Sequence, residues 1–589
     1  MRKVLSFCLL AAGTLLAAAP ATAQESALHG RAISCPAQLS PAERDSYRAI
    51  FAALRAQDWA GAAGRLDGMR EGPLHNLARA MLYTMPGSPR VEAGPMLELL
   101  ARAPELPQAD DLARLARARG AETVPDLPQA QRLYGLSGQP RRARPRAVRG
   151  DPVADQLEPL IQPLIRDDHA VEAEALLNTR IAELSEEART AFQQRIAWVY
   201  FLNGLDADAR RIADLARAGP TEYGVGAEWV SGLAAWRMGD YAAAADHFAS
   251  VAQRSSDVEL IAAGDYWAAR ADTAGGRPEQ VQARLRAAAR LDETFYGLLA
   301  QSALAVHRAP ADMTTFTEAD WDALQGLRNV RAAIALSEIG EDDLAASLIR
   351  RQAAIGNPRD HEHLIHLAAR LNLTATQMYL AHNGPRGSRF GPNDRYPTPN
   401  WRPTRGWRVD PSLAFAHALQ ESQFRTDAVS PAGARGLMQV RPGTAGDMAR
   451  ARGEPFSADS LNQPQINIEY GQSYLEYLRD YPGTGGLLPK VIASYNAGPA
   501  PVAEWNTRYD QSDPLFYIES LPYWETRGYV PIILRNYWIY ESRDADRSPS
   551  RRALAQGLWP RFPGLPGPTA VRIAPRPRQE TAAAMGADR

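Results

Sequence analysis

Cysteine and lysine are nearly missing from this chain. The only cysteines are Cys8 and Cys35, so no disulfide framework staples the fold, and no clustered Cys/His spacing points to a metal site. Lysine occurs only at Lys3 and Lys490, which leaves arginine to carry nearly all the positive charge. An excess of either sign is also missing. The 66 basic and 67 acidic residues leave a formal net charge of −1, which gives no electrostatic case for a nucleic acid or a strongly acidic partner. Alternating strand patterns are scarce. No apolar run beyond the first two dozen residues is long enough to span a bilayer.

The N-terminus carries a three-part pattern. Arg2 and Lys3 precede an apolar run over 4–16, and Ala21-Thr22-Ala23 follows. This reads as a cleaved export signal over 1–23. Cys8 lies inside the run rather than at its end, against a lipid-anchored cysteine. Cleavage would leave Cys35 as the one thiol. The expectation is a soluble exported protein in the periplasm, with association to the cell wall or outer membrane left open.

At 589 residues the chain exceeds what one core serves, so two or more domains are expected. From 41 to 340 apolar residues recur at three- and four-residue spacing, rich in Ala, Leu and Arg. Several units repeat a theme of helix, short turn with Gly, Asp or Asn, and Ala-rich helix. Met238-Gly239-Asp240-Tyr241, Asn203-Gly204-Leu205-Asp206, Gln57-Asp58-Trp59 and Gly340-Glu341-Asp342 are such turns. Hairpins of this kind cannot bury their apolar faces alone and stack into a superhelix. Trp198, Trp229, Trp236 and Trp267 are expected as core fillers. Pro and Gly at 384–403 interrupt the helical pattern and mark a junction. The fold class is therefore mainly α. A superhelical solenoid is expected over 24–340, a helical linker over 341–405, an α-rich C-terminal domain over 406–547, and a disordered Pro/Arg/Ala-rich tail over 548–589.

In the C-terminal domain Asp410-Pro411 opens a helix, with Asp at the cap and Pro at the first position. Its apolar face is Leu413, Ala416 and Leu419, and it should end near Ser422, before a turn-rich stretch over 427–436. Glu421 then sits in the last turn. There the helix dipole disfavours an ionised carboxylate, and burial would push the same way, giving a candidate general acid. Four stretches stand out: Glu421-Ser422; residues 436–445, beginning Gly436-Leu437-Met438-Gln439; Ala493-Ser494-Tyr495-Asn496-Ala497-Gly498; and residues 518–530, with Glu519, Tyr523, Trp524 and Tyr529. Together they supply glycine, side-chain amides and aromatic faces, the mixture that a groove for a polar polymer needs.

These four stretches, in this order, resemble the signature of the soluble lytic transglycosylases, whose goose-lysozyme-like domain cleaves peptidoglycan. Residues 266–270 and 295–300 are similar to helices of that family's superhelical domain, so the resemblance covers most of the chain, weakly in the repeats and strongly after Trp407. It implies a ring of helical hairpins carrying a lysozyme-like catalytic domain. It implies Glu421 as sole catalytic acid and base, with Ser422 fixing its neighbourhood. Ser430, Met438, Gln439, Tyr495, Asn496 and Glu519 are implied as substrate-binding residues. Peptidoglycan glycan strands are the implied partner, and other cell-wall enzymes are candidate partners of the solenoid. No metal or cofactor is implied. The chain departs from the family at Arg441, where members carry Met or another apolar residue, which places a fixed charge near the cleft.

Most glycosidases use two carboxylates. On the Glu421 helix the positions within helical reach hold His417, Ala418, Phe424 and Arg425, and Asp427 follows in the loop, so a pair stays open. The resemblance implies instead a single glutamate that protonates the MurNAc-GlcNAc β-1,4 linkage and then deprotonates the C6 hydroxyl, leaving a 1,6-anhydro end. A hydrolytic muramidase on the same scaffold, and a non-catalytic glycan- or partner-binding scaffold, are the alternatives.

Overall fold

A computed structural model describes residues 33–136, 138–306, 314–544 and 548–575. The expected export signal lies outside the described residues. The fold is mainly α, and the strands among the described residues are four two-residue pieces. No helix of the described residues is long and apolar enough to cross a membrane.

The described residues form two compact units. One comprises those of Met1–Tyr134 and Thr314–Ser388, the other those of Gly135–Met313 and Arg389–Arg589. The chain passes from the first unit to the second between Ser388 and Arg389, and helices on both sides of 340, where the solenoid was expected to end, belong to the first unit. That unit pairs helices such as Pro41–Arg55 with Trp59–Asp67 and Arg328–Ile339 with Asp342–Ile355.

The hairpin turns follow their residues. Helix Thr221–Met238 ends at Gly239, which adopts the left-handed conformation at φ 82°, and Asp240 then caps Tyr241–Arg254 by accepting from the Ala243 N–H. Small residues set the crossings: a Cβ on Gly264 would lie 2.7 Å from the Phe248 carbonyl oxygen of the neighbouring helix. Trp267 is fully buried, as a core filler should be. Trp198 and Trp236 are only half-buried and border open cavities, because the hairpin stack is hollow there.

The second unit joins its hairpins to the C-terminal helices through buried polar contacts. Arg142 grips Glu519 with two bonds of 2.8 and 3.1 Å, and the Tyr296 hydroxyl donates to the same carboxylate at 2.7 Å. Trp267 Nε1 donates to Tyr296 at 2.9 Å. Arg535 pairs with Glu259 at 3.1 Å, and Arg270 with Asp513 at 2.7 Å. Such pairs fix geometry rather than add much net stability, because burying the charges costs about as much as their attraction returns.

Residues 548–575, expected as part of a disordered tail, are ordered. Helix Pro549–Ala555 and the pairing of Trp559–Pro560 with Ala570–Val571 pack on this unit. Trp559 is fully buried; its Nε1 donates to the Gln511 carbonyl at 2.6 Å, and its ring lies 5.0 Å from the Lys490 ammonium. Proline density concealed an apolar anchor that the missing periodicity did not reveal.

Candidate active site

The acid helix, Pro411–Ser422, begins as its sequence dictates: Asp410 accepts from the Ser412 N–H at 2.9 Å, with Pro411 at the first position. It ends in two consecutive left-handed residues, Gln423 at φ 54° and Phe424 at φ 60°. That strain is held by Phe424, which is buried, and the helix stops at Ser422 with Gln423 as its left-handed cap. Glu421 is thereby left half-buried in the last turn.

Glu421 Oε1 accepts from the Tyr529 hydroxyl at 2.6 Å. Burial pushes its carboxyl up to about 7; the Tyr529 bond opposes the rise, and the charge of Glu525 adds to it. Tyr529 lies on the closing helix, Trp524–Glu541, and also sits 2.9 Å from His417 Nδ1. The tyrosine has one proton, and it goes to the carboxylate, so His417 must donate through Nδ1. Burial drives His417 down to about 3, which keeps it neutral and suited to that role. The chain His417–Tyr529–Glu421 fixes Oε1, and Oε2 has no hydrogen-bond partner among the described residues.

The loop facing the acid is built around a residue that sequence reasoning missed. Asn467 is fully buried on helix Pro464–Asp480. Its Oδ1 accepts from the Met438 N–H at 2.8 Å, and its Nδ2 donates to the carbonyls of Arg435 and Leu461, each at 2.8 Å. Gly436, at φ 71°, is required beside it: a Cβ there would lie 2.2 Å from Asn467 Nδ2 and 2.3 Å from the Leu461 oxygen. Ser422 joins helix to loop, with Oγ 2.8 Å from the Leu437 carbonyl and 3.1 Å from that of Ala418. Gln439 adopts φ 48° and spends its Nε2 on the carbonyls of Ala428 and Gly436 at 3.1 and 2.9 Å. Ser430 Oγ accepts from the Ala434 N–H at 3.0 Å and shapes the preceding turn.

Tyr495, on helix Leu488–Ala497, donates to the Met438 carbonyl at 2.8 Å and packs its ring 4.5 Å from His417 and 5.3 Å from Tyr474. Asn496 bridges to the closing helix: Nδ2 donates to Glu525 at 3.0 Å, and Oδ1 accepts from Thr526 at 2.6 Å. Burial raises the Tyr474 hydroxyl and Arg441 opposes that rise, which places the exposed Arg441 charge near this aromatic row.

Two expected substrate contacts are corrected. The Met438 side chain is fully buried against Gly471, so its backbone, not its thioether, serves the site. Glu519 is 1% exposed and fully engaged by Arg142 and Tyr296, so it anchors the hairpins instead of facing a glycan. The acid whose charge reaches Glu421 is Glu525 rather than Asp427. Tyr529 and Glu525 were visible inside the fourth stretch, but nothing local marks which of its residues turns toward Glu421. His417 and Asn467 carry no sequence signal beyond polarity on an otherwise apolar face.

Residues 401–515 match the model of the Transglycosylase SLT domain. The soluble lytic murein transglycosylase of Salmonella typhimurium is 39% identical over 136 residues, a segment that covers 23% of this chain and 21% of that relative. The chain thus aligns with about a fifth of the length of that relative. In structure, the 70 kDa soluble lytic transglycosylase of Escherichia coli superposes with a TM-score of 0.55 at 18% identity, covering 89% of this chain and all of that one. A lytic transglycosylase of Pseudomonas aeruginosa, in an inactive glutamate-to-glutamine form, gives a TM-score of 0.52 at 20% identity, covering 86% of this chain and 81% of that one. The matched SLT domain holds Glu421, and the all-helical fold around it resembles that of the Escherichia coli enzyme.

Proposed function

We propose that this chain is a peptidoglycan lytic transglycosylase in which Glu421 serves as acid and then as base. The supporting observation is a half-buried carboxyl raised to about 7, held at one oxygen by Tyr529 and without a hydrogen-bond partner at the other among the described residues. A carboxyl with that pKa is about half protonated at neutral pH, so it can both give a proton and regain one. Glu421 gives its proton to the oxygen of the MurNAc-GlcNAc β-1,4 bond, and the C1–O bond breaks. The sugar's own acetamido group eases the positive charge at C1. The Glu421 carboxylate then takes the proton of the C6 hydroxyl on the same MurNAc, and O6 bonds to C1. The product is a 1,6-anhydro end, and no water is consumed. The attacking hydroxyl belongs to the sugar under attack, so its effective concentration is high without an enzyme-bound water. Ser430, Gln439, Tyr495 and Asn496 border the reacting sugars in this reading, with the backbone of Met438 positioning Tyr495.

The N-terminal export pattern supports a periplasmic setting, where glycan strands are the partner. Purified sacculi digested with the wild type and with Glu421→Gln test the reading. Anhydromuramyl ends from the wild type alone support it. Reducing muramyl ends would indicate a hydrolase, and unchanged release by Glu421→Gln would remove Glu421 from the mechanism.

A further inference from the structure

The closing helix serves a second space. Its first turn presents Trp524 and Arg527 to a cavity of about 1170 Å³ inside the hairpin stack of the same unit. Trp198, Tyr223 and Trp229 wall the opposite side. The Arg527 guanidinium carbon lies 3.9 Å from the Trp198 ring centre and 5.2 Å from that of Trp524. Among the described residues it makes one hydrogen bond, from Nη1 to the Leu521 carbonyl at 2.8 Å, and no carboxylate pairs with it. Glu519, whose charge it feels, already has both oxygens committed to Arg142. Burial therefore works against an arginine charge that no carboxylate pairs with among the described residues. Arg144 lines the same cavity, also without a carboxylate among the described residues. Four acids line it as well: Asp155 and Glu222 are exposed, Glu158 is paired with Arg195 at 2.7 Å, and Asp257 accepts from the backbone N–H groups of Glu259 and Leu260.

A partly desolvated guanidinium fork held between aromatic faces is a receptor for a planar carboxylate. Apolar walls with a few convergent polar groups suit a ligand of several hundred daltons rather than a lone ion. Exposed acids near the cationic floor add a place for an amine. We propose that this hollow is a second ligand site, which takes a short peptide with a free carboxylate, of the kind borne by the glycan, on Arg527 between Trp198 and Trp524. The peptide's source rests on the peptidoglycan reading above; the receptor geometry does not.

Calorimetric titration of the full chain with the synthetic tripeptide L-alanyl-γ-D-glutamyl-meso-diaminopimelate, and with its fully amidated form, tests this. The probe has no glycosidic bond, so binding is read apart from cleavage. The acid form is expected to bind saturably at one site. Amidation, or Arg527→Gln, should weaken it roughly tenfold to a hundredfold, the loss of a charge-assisted pair. Trp198→Ala, which leaves the Leu521 contact in place, should weaken it as well, so the site stays testable if Arg527→Gln does not fold. Equal binding of the amidated peptide, undiminished binding by folded Arg527→Gln or Trp198→Ala, or no saturable binding overturns the proposal. Anhydromuramyl release without peptide binding would overturn this site alone; peptide binding without such release would overturn the catalytic reading alone.

Discussion

The behaviour of Glu421 follows from two opposing neighbours. Tyr529 stabilises its carboxylate through a hydrogen bond, and burial together with Glu525 stabilises the protonated form. Removing the tyrosine hydroxyl by Tyr529→Phe should raise the Glu421 pKa further. The alkaline limb of the kcat/KM profile, set by loss of the acid's proton, would then move to higher pH. Glu525→Gln should move the same limb to lower pH; matching limbs in both variants would disprove this assignment. Glu421→Gln should cut turnover about a thousandfold, the scale of one general acid–base group. It should also stabilise the fold. The folded pKa of Glu421 lies above its unfolded value, so its contribution is fully favourable at acid pH and is lost as pH rises through about 7. A neutral glutamine escapes that loss. The gain should be about 1–2 kcal/mol at pH 8 after allowing for partial solvation, and close to zero at pH 4. Thermal melts at the two pH values read it.

At the scale of elements, the site is the acid helix, the closing helix and the Tyr495 helix around a loop whose backbone is held by one asparagine from a fourth helix. Asn467 satisfies three backbone groups at once. Asn467→Ala should therefore cost about 2–3 kcal/mol by leaving buried groups unpaired, read by urea unfolding. Activity should fall with it, because the Met438 carbonyl that accepts from Tyr495 moves with the loop. The helices of the site were legible in the sequence: Asp410-Pro411 named the start of the acid helix, and the Gly-Asp turns named the hairpins. Their partners across space were not. Tyr529 and Tyr523 share one stretch with the same chemistry, yet Tyr529 is buried on Glu421 and Tyr523 is 53% exposed. Only packing separates them. Glu519 shows the converse, since a carboxylate in a family stretch reads as a ligand group until Arg142, nearly four hundred residues earlier in the chain, is seen to occupy it.

At the scale of the whole molecule, the hairpins and the C-terminal helices of the second unit share one buried polar network, Arg142–Glu519–Tyr296–Trp267. Arg142→Ala would leave the buried Glu519 charge without its ion-pair partner, held by the Tyr296 hydroxyl alone, and should cost about 3–5 kcal/mol. The double variant Arg142→Met with Glu519→Met should cost less than the single loss, and a double-mutant cycle measures the difference. Additive costs would mean that the pair is not coupled. The composition indicated an all-helical chain of more than one domain, but not that the C-terminal 28 described residues fold back onto it, because proline-rich segments give no periodicity to read. The claim on which the rest turns is that the nucleophile is the sugar's own hydroxyl. Digestion of sacculi in ¹⁸O-water, followed by mass spectrometry of the released fragments, tests it directly. An intramolecular attack predicts unlabelled ends lighter by one water than a hydrolysis product. Muramyl reducing ends carrying ¹⁸O would contradict it.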